Sequence, residues 1–252
     1  MMQQVVLCDA DNTLWDTDSV YAKAQEALLS RVEAILDIRN LAHGRLDFVR
    51  RYDQALAAKH HLHFRYPPIM LVFGLADGLR GGSPDVAARA ALTGHRNSDA
   101  ISIPLAEQIV ADYVGARDKT PGLLPGVEEG LKLAQRRGLG VYMLTEGRIE
   151  KQRKIIEIHG LGWAFESVLE VTKTVTQFRR LRERFASASV TVIGDQPDRD
   201  IEPALSAGCS AVLIPSRFRP AWHISDSWES ATYVASDFSD AIAWITKMPA
   251  AI

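Results

Sequence analysis

The sequence has little cysteine, no surplus of either charge and no long apolar run, and each shortage excludes a class of protein. Two cysteines in 252 residues, Cys8 and Cys209, are too few for a disulfide scaffold or a thiolate metal site. Each stands in an apolar run, where a reduced thiol packs as a small hydrophobe, as a reducing compartment allows. Lys and Arg number 29 against 31 Asp and Glu, a net charge of −2. That leaves no whole-molecule basic field of the kind non-specific nucleic-acid binding requires. No stretch reaches the ~18 apolar residues of a membrane span. The opening MMQQVVLCDADNTLW lacks the positive start and apolar core of a leader. The expectation is a soluble, cytoplasmic protein with no nucleic-acid or membrane partner. What is present is an ordinary globular composition, 47% apolar and 24% charged. The chain can hold one large domain, or a main domain with a substantial insertion.

Short apolar runs rich in β-branched residues read as buried parallel strands: residues 4–8 (QVVLC), 139–144 (LGVYML), 167–171 (SVLEV), 190–193 (VTVI) and 211–214 (AVLI). The later ones are separated by amphipathic segments at 127–137, 148–159 and 174–185, and that alternation predicts a doubly wound α/β domain. Between Asp16 and Leu124 the strand pattern gives way to helical periodicity. Ala24, Leu28, Val32 and Ile35 form one stripe, and Phe48, Val49, Tyr52 and Leu56 another. Ser83-Pro84-Asp85 reads as a helix start, as does Pro104. The expected organisation is therefore an α/β core built from residues 1–15 and 125–252, interrupted by a mainly helical domain over 16–124.

In open parallel sheets, ligands bind outside the carboxyl ends of the strands. Four polar groups fall at such ends. Asp9 and Asp11 follow the first strand. Thr145 and Glu146 follow the second, where a hydroxyl and backbone N–H groups can hold an anion. Lys173 follows the third. Gly194, Asp195, Asp198 and Asp200 follow the fourth, an oxygen-rich turn suited to a hard divalent cation. An acidic turn, an ordinary helix cap or a surface lysine would explain any one of these alone. Their shared position at strand ends argues for one site.

In these motifs the chain resembles the haloacid dehalogenase superfamily of hydrolases and phosphotransferases. Asp9-Ala10-Asp11-Asn12-Thr13 matches its DxDxT motif, and Thr145 and Lys173 its second and third motifs. Gly194-Asp195 with Asp200 matches GDxxxxD, and the helical insertion resembles its first type of cap. The resemblance implies a Rossmann-like core and a Mg²⁺-dependent phosphatase acting on a small phosphorylated metabolite. Asp9 would be the nucleophile, forming an aspartyl-phosphate. Asp11 would protonate the leaving oxygen and then activate water. Mg²⁺ would be held by Asp9, the carbonyl of Asp11 and Asp195. Lys173 would add positive charge, Thr145 and the N–H of Glu146 would bind phosphoryl oxygens, and Asp200 would support Lys173 or the metal from behind. Asp198 is assigned no ligand role. A cap of this kind would close over the substrate, with Arg50, Arg51, Arg65 and Arg80 as candidate contacts.

The family also holds phosphomutases and dehalogenases, and both stay open as alternatives. A carbon–halogen bond needs no proton donor for its leaving group, and the dehalogenases lack an acid at the position of Asp11. A non-enzymatic phosphoacceptor or binding protein is a further alternative. Phosphonate cleavage through a cap lysine finds no distinctive setting at Lys23 or Lys59. Three other features read as structural: His60, His61 and His63 lack complementary ligands. The segment 78–83 (GLRGGS) lacks the GK[ST] ending of a phosphate loop and reads as an interhelix loop. Trp222, Trp228 and Trp244 read as packing residues.

Overall fold

The computed structural model describes residues 3–40, 44–59, 66–94, 101–217 and 230–248. They form two compact units, one holding residues up to Asp18 and those from Thr120 onward, the other Ser19–Lys119. His60, His61, His63, Arg65, Trp222 and Trp228 lie outside the described residues. Among the described residues no helix is long and apolar enough to cross a membrane.

The first unit is a six-stranded parallel sheet. Its strands are β1 (Gln3–Asp9), β2 (Gly140–Thr145), β3 (Ser167–Glu170), β4 (Ala188–Gly194), β5 (Ser210–Leu213) and β6 (Tyr233–Val234), in the order β3-β2-β1-β4-β5-β6. β1 is central: Val6 aligns with Val141 on one side and Thr191 on the other. The chain returns past β1 between β3 and β4, and this reversal opens a crevice at the carboxyl ends of β1 and β4.

Side chains alternate along the strands and so supply a core to each face. Val6, Cys8, Val141, Met143 and Ile193 face α6 (Val127–Arg136), α7 (Ile149–Ile158) and α10 (Phe238–Ile245). Val5, Leu7, Leu144 and Val192 face α8 (Val175–Arg184) and α9 (Glu202–Ser206), through Phe178, Leu181 and Ala204. Both cysteines are buried and free. Helix ends are set locally: the Thr174 hydroxyl accepts from Gln177 N at the start of α8, and the Asp237 carboxylate accepts from Asp240 N at the start of α10. At Gly130 a Cβ would stand 2.7 Å from Phe238 Cδ1 and 3.1 Å from its carbonyl oxygen, so glycine here lets α6 and α10 pack closely.

The second unit is helical: α1 (Thr17–Leu36), α2 (Arg45–Lys59), α3 (Ile69–Leu79), α4 (Pro84–Leu92) and α5 (Ile103–Arg117). Its core joins Leu28, Val32, Phe48, Val49, Leu56, Leu71, Val72, Ala87 and Ile109. Ala24, Tyr52 and the other stripe residues are buried, except that Ile35 is only partly so. Ser83 is the N-cap of α4, although its hydroxyl makes no capping bond. The α5 start needs correction by one residue. Ser102 Oγ accepts from Leu105 N at 3.4 Å, so the helix begins at Ile103, before Pro104. Lys59 pairs with Asp85 at 2.7 Å. A cavity of about 90 Å³ is lined by Tyr21, Asp53, Tyr66, Tyr113 and Arg117. Asp53 there accepts from Tyr66 Oη and from Gln25 Nε2, and burial holds its carboxyl above the usual range.

Candidate active site

The sheet topology delivers the expected residues to one edge. Asp9 ends β1, Thr145 ends β2, and Lys173 lies just past β3. Asp195 follows the last residue of β4. Past it the chain makes a short π-helical turn, Pro197–Ile201, closed by Asp200 N donating to Gln196 O (2.8 Å) and Gln196 N donating to Asp200 Oδ2 (3.1 Å). The turn brings Asp200 back over Gly194 so closely that a Cβ at 194 would sit inside the Asp200 side chain. Only glycine permits that return. After β1, Leu14 N donates to Ala10 O and Asn12 N to Trp15 O (both 2.9 Å), forming a tight turn with Asn12 at φ 61°. Asparagine tolerates this left-handed conformation better than most residues. Asp11 stands in that turn, bridged to Trp15, and not in a continuing strand.

Asp9, Lys173, Asp195 and Asp200 are all buried. Lys173 Nζ pairs with Asp9 Oδ1 and, at 2.6 Å, with Asp200 Oδ1. Thr13 Oγ1 donates to Asp9 Oδ2 at 3.1 Å. Burial disfavours charge on each acid. It raises the Asp9 carboxyl to about 7; Lys173 pulls the other way, and Asp200 and Asp11 push it up. Asp195 rises well above the carboxylate range through burial and repulsion from Asp9 and Asp200. For Lys173 burial alone would lower the ammonium pKa. Asp200 and Asp9 outweigh it, and the lysine is held firmly protonated.

Oxygen atoms of Asp9, Asp195 and Asp200 lie within 4.8 Å of one another, and Asp195 Oδ1 is buried without a hydrogen-bond partner among the described residues. Hard carboxylate oxygens, one of them orphaned, fit a metal ion that prefers oxygen ligands. The family resemblance put Asp200 behind the metal, as a support for it or for Lys173. The structure shows its pairing with Lys173 and places its carboxylate in the same oxygen cluster.

A second network adjoins this cluster. Thr17 Oγ1 donates to Asp11 Oδ1 at 2.7 Å, and Gln152 Nε2 donates to Asp11 Oδ2 at 3.1 Å. Thr145 Oγ1 accepts from Gly147 N (2.9 Å) and Gln152 Nε2 (3.4 Å). With its acceptor sites so used, the Thr145 hydroxyl keeps one proton to donate elsewhere. Glu146 acts as a strut: Oε1 accepts from Lys173 N at 3.0 Å, and Oε2 accepts from Arg199 Nε at 3.1 Å. Thr13 closes the DxDxT motif read from the sequence, whereas Thr17, Gln152 and Arg199 were given no role there. Gln152 left a signal, as a polar residue three positions from both Ile149 and Ile155 on an otherwise apolar stripe. The partners of Thr17 and Arg199 left none, because they depend on the turns.

The chain belongs to the haloacid dehalogenase-like hydrolases, whose family model matches residues 3–208. It is thus an enzyme of the hydrolase class. No curated protein matches it in sequence. Among solved structures it is similar to a predicted phosphoglycolate phosphatase from Haemophilus somnus 129PT, with a TM-score of 0.62 at 15% identity, covering 97% of this chain and 99% of that one. It is equally similar to the magnesium-bound HAD-hydrolase YfnB from Bacillus subtilis, with a TM-score of 0.62, 17% identity and coverage of 98% and 100%. A Thermotoga maritima protein assigned as a β-phosphoglucomutase matches with a TM-score of 0.62 at 14% identity, over 98% and 100% of the two chains. At these identities the likeness establishes the shared fold.

Proposed function

We propose that this hydrolase is a phosphatase of small phosphorylated metabolites that works with Mg²⁺ and forms an aspartyl-phosphate on Asp9. The observation that carries the reading is the second carboxylate. Asp11 is held by two donors beside the buried cluster. Its field acts on Asp9. An alkoxide leaving group needs a proton and a halide does not, so a fixed acid beside the nucleophile suits phosphate-ester cleavage.

Asp9, Asp195 and the carbonyl of Asp11 would hold the Mg²⁺, with Asp200 beside them. A bound dication supplies positive charge that keeps Asp9 ionised and offsets its repulsion from a phosphoryl group. Asp9 is oriented for attack by Thr13 Oγ1 and Lys173 Nζ. Thr145 donates its remaining proton to a phosphoryl oxygen, and Lys173 stabilises charge there. Asp11 gives its proton to the departing oxygen and later takes one from the water that cleaves the intermediate. The test is a phosphate-release screen over a metabolite library, with Mg²⁺ or EDTA, beside Asp9→Asn. Release that requires Mg²⁺ and vanishes in Asp9→Asn is expected. Halide release from haloacids without phosphate release would overturn the reading.

A further inference from the structure

Gln152 is 1% exposed, on the face of α7 that packs against the sheet. Its Nε2 spans two motifs that lie more than 130 residues apart in the chain, reaching Asp11 Oδ2 at 3.1 Å and Thr145 Oγ1 at 3.4 Å. The amide presents its nitrogen to both oxygens. That orientation strands its own carbonyl oxygen, which is buried without a partner among the described residues. An apolar residue would fill this stripe position between Ile149 and Ile155 without such a penalty. Packing therefore does not explain the glutamine, whereas two functional contacts do. With Thr17 Oγ1 on the other oxygen (2.7 Å), Asp11 is gripped from both sides.

We propose that Gln152 is a positioning residue for the proton donor, fixing the Asp11 carboxyl relative to the phosphoryl-binding hydroxyl of Thr145. The inference rests on the phosphatase reading. In the step concerned, an Asp9 oxygen bonds to phosphorus and the P–O bond to the leaving group breaks. The bonding pair departs with that oxygen, and the Asp11 proton joins it to give a neutral alcohol. Gln152 touches neither substrate nor the reacting atoms. It sets the angle and reach of the carboxyl group that does.

This role is sensitive to the leaving group. The quantity to measure is kcat/KM, which covers binding and the steps through the first irreversible cleavage and so leaves out hydrolysis of the intermediate. Two substrates are compared: p-nitrophenyl phosphate, whose nitrophenolate leaves without a proton, and the alkyl monoester ranked first in the screen above. Gln152→Met keeps the length and removes the hydrogen bonds. It should lower kcat/KM for the alkyl ester by about 10–100-fold, the usual range for losing a hydrogen bond to a charged group. The aryl ester should lose less than about threefold. In an Asp11→Asn background Gln152→Met should have no further effect on the alkyl ester, because the group it positions no longer donates a proton. Gln152→Asn retains the amide but falls one methylene short, and should show the same selectivity in smaller degree. It serves as the test if the Met variant does not fold. Equal losses on both esters, or losses additive with Asp11→Asn, would overturn the proposal and leave Gln152 a packing residue. A wild-type protein that releases phosphate from neither ester would overturn the phosphatase reading itself, and this inference with it.

Discussion

On the proposed reading, withdrawing Mg²⁺ should destabilise this protein in a manner that depends steeply on pH. Asp9 carries a carboxyl at about 7 against an ordinary 3.8, with burial as the main cause. Between those values the folded state binds a proton that the unfolded state has released. The metal-free fold therefore loses stability as pH rises from about 4 to about 7, and below 4 the group contributes no pH dependence. Asp195 is raised in the same direction and adds to the slope. Lys173, held above its usual value, contributes stability that is present throughout this window and is lost only in strong base. A single carboxyl titrating from 3.8 to about 7 corresponds to roughly 4 kcal/mol. A bound dication would displace the proton and reverse that loss.

The competition sets the size of the metal effect. At pH 5 a group titrating near 7 must surrender a proton to admit the ion, which weakens apparent affinity by about 100-fold relative to pH 8. Mg²⁺ at about 100 times its pH 8 dissociation constant should then stabilise by about 2.7 kcal/mol at pH 8. That is roughly 5–10 °C for a unit of this size. The same concentration at pH 5 should give well under 1 kcal/mol. Thermal melts with Mg²⁺ or EDTA at pH 5 and 8 measure the four values, and Asp195→Asn supplies the control. An equal Mg²⁺ shift at both pH values, or a full shift in Asp195→Asn, would refute the assignment of this cluster as a metal site.

Asp11→Asn should lower kcat/KM for alkyl phosphates by about 10²–10⁴-fold and for nitrophenyl phosphate far less, measured by phosphate or nitrophenol release. Gly194→Ala should displace Asp200 from Lys173, since the added methyl and the Asp200 side chain claim the same space. Activity and the Mg²⁺ shift should then fall together, and a variant with both intact would contradict the packing. Phe238→Ala empties a buried site between α10 and α6 and should cost about 3–5 kcal/mol in denaturant unfolding. Asp53→Ala removes the acceptor shared by Tyr66 and Gln25, so the helical unit should lose about 1–3 kcal/mol.

The sequence revealed the strands that are buried on both faces. β1, β2 and β4 read as continuous apolar runs ending abruptly in polar residues, and those endings located Asp9, Thr145 and Asp195. The two-residue strand β6 was invisible, because Tyr233 and Val234 make no run and, among the described residues, pair only with the neighbouring β5. α10 was missed for a related reason: FSDAIAWI is too short for a stripe to declare itself, although Asp237 caps it. α3, IMLVFGLADGL, is apolar nearly all round and offers no contrast of faces. In the site, what lay beyond reach was the set of partners. Thr17 meets Asp11 because the turn through Asn12 folds back, and Arg199 meets Glu146 because the chain coils into a π turn; neither approach has a sequence period. A two-residue offset would put Asp9 and Asp11 on the same side of an extended segment. The structure puts Asp11 in a turn, so its closeness to Asp9 comes from the backbone reversal.

The need for a cation follows from how Lys173 is used. Its ammonium pairs with both Asp9 and Asp200, so the positive charge nearest the nucleophile is already shared between two carboxylates. Asp195 Oδ1 has no hydrogen-bond donor among the described residues. With all three acids ionised, one ammonium leaves two negative charges in a buried space, before Asp11 or any phosphate is counted. Burial relieves part of this by protonating carboxyls, but a protonated Asp9 cannot attack phosphorus. Burial leaves Asp9 partly protonated at neutral pH, and an added positive charge would shift it to the ionised, reactive form. The cluster that makes the resting protein hold protons is therefore the one at which, in the proposed reaction, a metal would replace them.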